Sequence, residues 1–303
     1  MKKTADAFSG LHPLVSFLYL GLVLTLSMFI NHPVCLAVSL ASALAYSVYL
    51  NGRQAVRFNL VYMLPMLVAA ALLNPLFNHQ GRTLLAYLPD GNPLTLESIA
   101  YGLAAAVMLV TVMIWFSCFN MVITSDKLVY LFGQIIPALS LVLSMTLRFV
   151  PRFRVQLRVI SNAQKCVGRD PSSGNLLRKA KHGLRILSIM VTWALENVIE
   201  TADSMKSRGY GLPGRAAFSL YRFDKRDGGV LLFLLACAAY IILGSVTGGL
   251  RFQYFPSLKG AEATPYAISI LAVYAALCLM PLFLNAREAI AWRILTTRAD
   301  LSN

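Results

Sequence analysis

The stretch that organises this chain runs from residue 148 to residue 215 and reads RFVPRFRVQLRVISNAQKCVGRDPSSGNLLRKAKHGLRILSIMVTWALENVIETADSMKSRGYGLPGR. It carries 13 of the 27 Lys and Arg residues, and apolar runs flank it on both sides. Two parts of it end at a glycine, at Gly168 and at Gly209. The pattern predicts two amphipathic helices in a cytoplasmic segment, and we expect the function of the protein to reside there.

The composition indicates an integral membrane protein. Of the 303 residues, 57% are apolar and only 13% are charged, against roughly 25% in an average soluble domain. Several apolar runs approach or exceed the ~20 residues that cross a bilayer. The net charge of +14 is explained by Lys and Arg in cytoplasmic loops. We predict no nucleic-acid partner, because the basic residues do not alternate with exposed aromatic residues.

Six apolar runs predict six transmembrane helices, at about residues 13–30, 34–50, 60–77, 99–123, 230–246 and 265–284. The loops with most Lys and Arg fall on one side when these runs alternate, which places both termini in the cytoplasm. Residues 83–88 and 93–96 flank the turn sequence PDGN and predict an external hairpin. The expected fold is an all-α membrane protein with about six spans plus long amphipathic cytoplasmic helices.

Residues 128–147 form a further apolar run that does not fit the alternation. If it spanned the membrane, the basic stretch after it could not lie on the same side as Lys2 and Arg53. We therefore predict a re-entrant or membrane-surface helix that begins at Ser125 and Asp126 and contains Pro137. The predicted organisation is an N-terminal membrane region (1–127), a membrane-surface and cytoplasmic helical region (128–228), and a C-terminal membrane region with a basic tail (229–303).

The second predicted cytoplasmic helix covers about residues 184–208. Its apolar residues recur with helical spacing, at Leu184, Leu187, Val191, Ala194, Val198, Ala202 and Met205. Gly209 follows the last of them, where a glycine can end a helix with a positive φ. Arg208 lies in the final turn, where the helix dipole favours a cation. The pattern predicts a guanidinium presented at a blunt helix tip.

The first predicted cytoplasmic helix covers about residues 152–167 and repeats this design. Phe153, Leu157, Ile160 and Ala163 form its apolar stripe, and Gly168 ends it. The residue before the glycine is Val167 rather than an arginine.

This arrangement resembles the T component, the transmembrane scaffold of energy-coupling factor (ECF) importers of vitamins and metals. In that family two cytoplasmic coupling helices each end in Ala-Arg-Gly. The matching positions here are Ser207-Arg208-Gly209 and, less closely, Cys166-Val167-Gly168. The segments TLRFVP at 146–151, NAQ at 162–164 and ETADSM at 200–205 are also similar to the family.

The resemblance implies that the two helices cross and dock their tips into grooves on two ABC-type ATPase subunits. These subunits bind ATP and Mg²⁺, so the chain itself needs no cofactor and is not an enzyme. The movement passes to a small substrate-binding membrane subunit, the S component, in the bacterial cytoplasmic membrane. The implied coupling residues are Ala163, Gln164, Lys165, Cys166, Val167, Gly168, Arg169, Ser207, Arg208 and Gly209, with Glu200 and Asp203 supporting the second tip.

The chain departs from the family at Val167, which stands where the first motif has its arginine. Either Lys165 or Arg169 substitutes for that arginine, or the two ATPase grooves are unequal. The sequence leaves both explanations open.

Two other functions compete with a scaffold. A membrane enzyme or secondary carrier would need polar residues that converge inside the spans, and the candidates are Asn74, Ser117 and Asn120. Hydrogen bonding between helices is a simpler explanation for the presence of these polar residues in apolar spans. A membrane-surface protein whose basic helices bind lipid is the third possibility, and the acidic residues clustered before Arg208 argue against a purely lipid-binding face: Glu196, Glu200 and Asp203. The sequence contains no GxxxxGK[ST] phosphate loop, and its five cysteines and four histidines lack the spacing of a metal site.

Overall fold

The computed structural model describes residues 6–87, 93–168, 176–212, 221–260 and 264–301. The chain forms two compact units: Met1–Thr124 with Tyr221–Asn303, here called the membrane unit, and Ser125–Leu220, here called the inserted unit. The helices and strands of the membrane unit are α1 (Pro13–Phe29), α2 (Pro33–Asn51), α3 (Arg53–Phe58), a π-helical turn (Asn59–Met63), α4 (Leu64–Phe77), β1 (Leu84–Tyr87), β2 (Pro93–Thr95), α5 (Leu96–Val122), α9 (Lys225–Val246), β3 (Phe252–Gln253), β4 (Lys259–Gly260) and α10 (Pro265–Leu301). The inserted unit contains α6 (Ser125–Ile135), α7 (Pro137–Cys166) and α8 (Leu176–Ser207).

Five helices are long and apolar enough to cross a membrane, within the part of the chain that the structure describes. They are α2, the continuous helix from Arg53 to Phe77, α5, α9 and α10. The apolar helix α1 is shorter, with 17 residues. All six coincide with the predicted apolar runs, and the predicted all-α membrane fold is confirmed.

Prolines and one glycine set several helix boundaries. Pro13 and Pro33 occupy the first turns of α1 and α2, where a missing N–H costs nothing. Gly52 has a φ of +55° and separates α2 from α3. The π-helical turn ends just before Pro65, which cannot donate the hydrogen bond that a regular α-helix requires.

The predicted hairpin is present. Strands β1 and β2 pair antiparallel, with Leu84 opposite Thr95, although the turn between them lies outside the described residues. Glu97, in the first turn of α5, is buried and accepts a hydrogen bond of 2.8 Å from the Thr83 hydroxyl and one from the Thr83 N–H. The carboxylate therefore ties the hairpin to the start of α5.

The core of the membrane unit consists of large aromatic side chains joined by hydroxyl groups. Tyr19, Tyr46, Trp115 and Tyr274 are fully buried or nearly so. The Trp115 Nε1–H donates to Ser39 Oγ at 3.1 Å, and Ser39 Oγ lies 2.9 Å from Ser27 Oγ. Because polar groups in hydrocarbon need internal partners, these bonds satisfy the buried side chains within the bundle itself.

The inserted unit differs from the prediction in where its helices begin. The first cytoplasmic helix starts at Pro137 rather than near residue 152, and it continues through Pro151 as α7. The second starts at Leu176 rather than Leu184. Ile136, between α6 and α7, has a non-helical backbone with φ −134° and ψ 88°, because a proline disfavours the helical conformation of the residue before it. Neither α6 nor α7 is among the helices long and apolar enough to span.

Candidate functional site: the ends of two long helices

The end of α8 is a Schellman motif. The Gly209 N–H donates to the carbonyl of Lys206 at 2.9 Å, and the Tyr210 N–H donates to the carbonyl of Met205 at 3.0 Å. Gly209 has a φ of +77°, a conformation that costs a residue with a Cβ atom about 1–2 kcal/mol. The motif satisfies carbonyls that the helix end would otherwise leave unbonded.

This geometry places Arg208 between the last helical residue, Ser207, and the glycine. The Ser207 hydroxyl donates to the carbonyl of Ser204 at 2.9 Å and so folds back on the helix. Arg208 is exposed. A guanidinium at this position adds a positive charge at the negative end of the helix dipole, and its planar fork of donors can bind carboxylates or backbone carbonyls.

The end of α7 has the same backbone design. The Gly168 N–H donates to the carbonyl of Lys165 at 2.9 Å, and Gly168 has a φ of +73°. Val167 is therefore the structural counterpart of Arg208, and it is 65% exposed. An exposed valine at a helix tip offers an apolar contact where Arg208 offers a charge.

The remaining predicted residues lie around these two ends. Ala163, Lys165 and Cys166 are exposed in the last turn of α7, and Gln164 is half-buried. Glu200 and Asp203 are exposed in the last two turns of α8. Arg169 lies outside the described residues.

A small apolar cluster brings the two helices together at a distance from their ends. Ile160 of α7 packs with Ile186 and Met190 of α8, and Phe153 and Trp193 cover this cluster. The rings of Phe153 and Trp193 meet edge to face at 5.7 Å, and the guanidinium of Arg152 lies 5.7 Å from the Trp193 ring centre. Counted from the middle of the cluster, the tip of α7 is ~15 Å away along its axis and the tip of α8 ~27 Å.

The face of α8 that packs on α7 is not the stripe that the sequence singled out. Leu184, Leu187 and Val191 of that stripe are more than half exposed. The packed residues Ile186, Met190 and Trp193 lie about a third of a turn around the helix, at ~100° per residue. Trp193 was not among the predicted residues, although its spacing of three residues from Met190 and seven from Ile186 is typical of one helix face.

The polar residues proposed for a carrier or enzyme do not converge. Asn74 of α4 lies beside Gly102 of α5, since a Cβ atom added to that glycine would be 3.0 Å from Asn74 Cβ, and Asn74 Oδ1 is buried with no hydrogen-bond partner among the described residues. Ser117 and Asn120 lie on α5, ~22 Å and ~27 Å further along its axis than Gly102. Among the described residues, no group of three or more His, Cys, Asp or Glu side chains could hold a metal ion.

Comparison with known proteins identifies a family whose profile covers both helix ends. The sequence profile of the CbiQ family, described as cobalt transport proteins, matches residues 7–218. That range includes both helix ends and most of the predicted spans.

Individual relatives show the same similarity over a shorter range. The chain is 34% identical over 108 residues to the energy-coupling factor transporter transmembrane protein EcfT of Lactococcus lactis subsp. cremoris, a match covering 35% of this chain and 41% of that protein. It is 35% identical over 106 residues to EcfT of Lactobacillus helveticus, covering 35% of this chain and 36% of that protein. The matched region thus spans about two fifths of the length of these relatives.

Proposed function

Because the chain belongs to the CbiQ family of cobalt transport proteins, we propose that it is the transmembrane scaffold of an ECF-type importer. Its resemblance to ECF T components is confirmed by the family and by the relatives named EcfT. In this proposal the chain couples ATP binding and hydrolysis by two partner ATPases to the movement of a substrate-binding S component. The substrate is a vitamin or a metal ion, and the chain itself has no catalytic site.

The observation that carries the proposal is the exposed Arg208 on the Schellman end of α8. A tip that docks in a groove needs a rigid backbone and a side chain that reaches beyond it. The two hydrogen bonds from Gly209 and Tyr210 provide the first, and the guanidinium provides the second. Glu200 and Asp203 lie on the same helix just before the tip and give it acidic groups that can pair with cations on a partner.

The difference between the two tips supports unequal docking of the two ATPases. Val167 occupies the position of Arg208 with an apolar side chain. An arginine tip selects a groove lined by acceptors, while a valine tip selects an apolar one. We therefore propose two different ATPase subunits, or two different modes of docking on one kind of subunit.

The charge distribution supports a multi-pass protein of the bacterial cytoplasmic membrane with both termini in the cytoplasm. The basic region 148–226 and the other loops with many Lys and Arg residues then lie on the cytoplasmic side. This side is also where ATP is available to partner subunits.

Purification from the native membrane tests the assembly. We expect two ATPase chains and one small apolar membrane subunit to co-purify with this protein. A chain that purifies alone and still transports or converts a substrate would contradict the scaffold and favour the carrier or enzyme.

Charge reversal at Arg208 tests the coupling site. We expect Arg208→Glu to lower ATP-driven uptake by about tenfold or more and to weaken retention of the ATPase subunits, because it removes charge-assisted hydrogen bonds and adds repulsion. Arg158→Glu, an equal charge change at an exposed position of α7, is the matched control and should leave uptake within about twofold. Normal uptake by the Arg208 variant would remove this residue from the mechanism.

A further inference from the structure

The first three turns of α8 have an exposed surface that lies away from the helix tips proposed to dock the ATPases. We propose that residues 176–187, here called the basic leucine segment, bind the surface of an anionic phospholipid membrane. This inference depends on the chain being a membrane protein and not on the proposed coupling role.

The apolar half of this surface is a row of exposed leucines. Leu176 and Leu177 are 84% and 82% exposed, and Leu184 and Leu187 are also largely exposed. At ~100° per residue these four side chains and Ala180 fall within about 100° of one another around the helix axis. The row lies apart from Ile186 and Met190, which pack on α7, and the described residues leave its side chains exposed.

The polar half is cationic. Arg178, Lys181 and Arg185 follow one another at spacings of three and four residues, which places them along one side of the leucine row. Lys179 lies on the other side of it. All four are exposed, and no ion pair involves them among the described residues. The sequence contains no Asp or Glu between Leu176 and Leu195.

This combination selects a membrane surface over other occupants. A helix with leucines on one face and cations beside them lies in the headgroup region with its apolar face in the acyl boundary. The long Lys and Arg side chains can then reach the phosphates. A protein groove would face four uncompensated charges, whereas the anionic leaflet neutralises them.

The second half of α8 has the opposite character. Glu196, Glu200 and Asp203 all lie there, and an anionic surface would repel them. Lys181 and Arg208 are ~40 Å apart along the helix. One end of α8 is thus suited to lipid and the other to a protein partner.

A fluorescent probe on the leucine row tests the proposal in the full chain. Leu177→Cys is labelled with an NBD fluorophore in a Cys166→Ser background, because Cys166 is the exposed one of the five cysteines and the others are buried. The labelled protein is reconstituted in nanodiscs of phosphatidylcholine alone or with about 30 mol% phosphatidylglycerol. We expect a blue shift of the emission with phosphatidylglycerol that about 0.5 M NaCl reverses.

A charge-reversed variant and a matched control identify the groups responsible. Arg178→Glu with Lys181→Glu should abolish the shift, since each cation removed weakens membrane partition by about fivefold. The control variant, Arg154→Glu with Arg158→Glu, makes the same change in net charge on α7. It should retain the blue shift. Circular dichroism and gel filtration verify that both variants fold. The salt titration of the labelled protein without charge reversals tests the proposal independently of these variants.

Three results would overturn the inference. An equal blue shift in phosphatidylcholine alone would show apolar insertion without recognition of anionic lipid. A shift that appears only when co-purified subunits are added would show that the segment docks a protein. Emission typical of water in every nanodisc would show that the segment faces solvent.

Discussion

Gly168 and Gly209 have nearly the same backbone conformation but different surroundings. Their φ angles are +73° and +77°. A Cβ atom added to Gly209 would lie 3.1 Å from Leu212 Cδ1, whereas one added to Gly168 would meet no atom of the described residues within 4 Å. Leu212 therefore constrains the α8 tip in addition to the backbone hydrogen bonds of the Schellman motif.

Alanine at these two positions should have unequal effects. Both substitutions place a Cβ atom in the left-handed region, at about 1–2 kcal/mol each, and Gly209→Ala adds the crowding against Leu212. We expect faster amide hydrogen exchange in residues 205–212 of the Gly209 variant, by about tenfold or more. Residues 163–168 of the Gly168 variant should show a smaller increase. Equal increases would show that Leu212 does not constrain the tip.

The glycines and the tip charge were the part of the site that the sequence could predict. A glycine after a periodic apolar pattern locates a helix end, because few other residues adopt a positive φ. The contact between α7 and α8 was not predictable in the same way. Leu184, Leu187 and Val191 have the more regular spacing, yet Ile186 and Met190 make the contact, because side chains on the other helix decide which face is buried.

At the scale of helices, α4 and α5 pack closely because α5 has a glycine at the contact. A Cβ atom added to Gly102 would lie 2.9 Å from the carbonyl oxygen of Ala71 and 3.1 Å from Pro75 Cδ. Small residues of this kind let the backbones of membrane helices approach each other. The contact joins α5 to a helix that is otherwise mostly exposed.

Gly102→Ala should therefore destabilise the membrane unit. We expect a loss of about 1–3 kcal/mol from overpacking against backbone atoms that cannot rotate away, measured as a lower unfolding temperature of the full chain in detergent. Gly21→Ala is the matched control, because Gly21 lies in α1 with nothing within 4 Å of an added Cβ. An unchanged unfolding temperature for the Gly102 variant would mean that α4 and α5 can separate without cost.

Helix positions in the membrane were predictable from the sequence, whereas those in the inserted unit were predictable only in part. Apolar runs bounded by prolines, glycines and charges match α1, α2, α5 and α9 to within a few residues, because hydrocarbon demands continuous helices. The predicted start of α7, near residue 152, was wrong by 15 residues, because the helix begins at Pro137 and continues through Pro151. A proline interrupts one hydrogen bond of a helix, and flanking residues decide whether the helix continues.

At the scale of the whole chain, residues before α1 are joined to α10 within the membrane unit. The Ala7 N–H donates to Asn285 Oδ1 and the Asn285 amide donates to Asp6 Oδ1, each at 2.7 Å. Asp6 Oδ2 also accepts from the Tyr46 hydroxyl at 3.0 Å. These bonds join parts of the membrane unit that precede and follow residues 125–220 in sequence, so its compactness does not depend on the inserted unit.

The orientation of the chain follows from its charges and can be measured with cysteines. A membrane-impermeant maleimide should leave the unaltered protein unlabelled in intact cells and label Cys166 after permeabilisation, because the basic inserted unit is expected in the cytoplasm. Gln80→Cys, an exposed position before the β1–β2 hairpin, should be labelled in intact cells. Labelling of Cys166 in intact cells would invert the predicted topology, place the helix tips on the side without ATP, and contradict coupling to cytoplasmic ATPases.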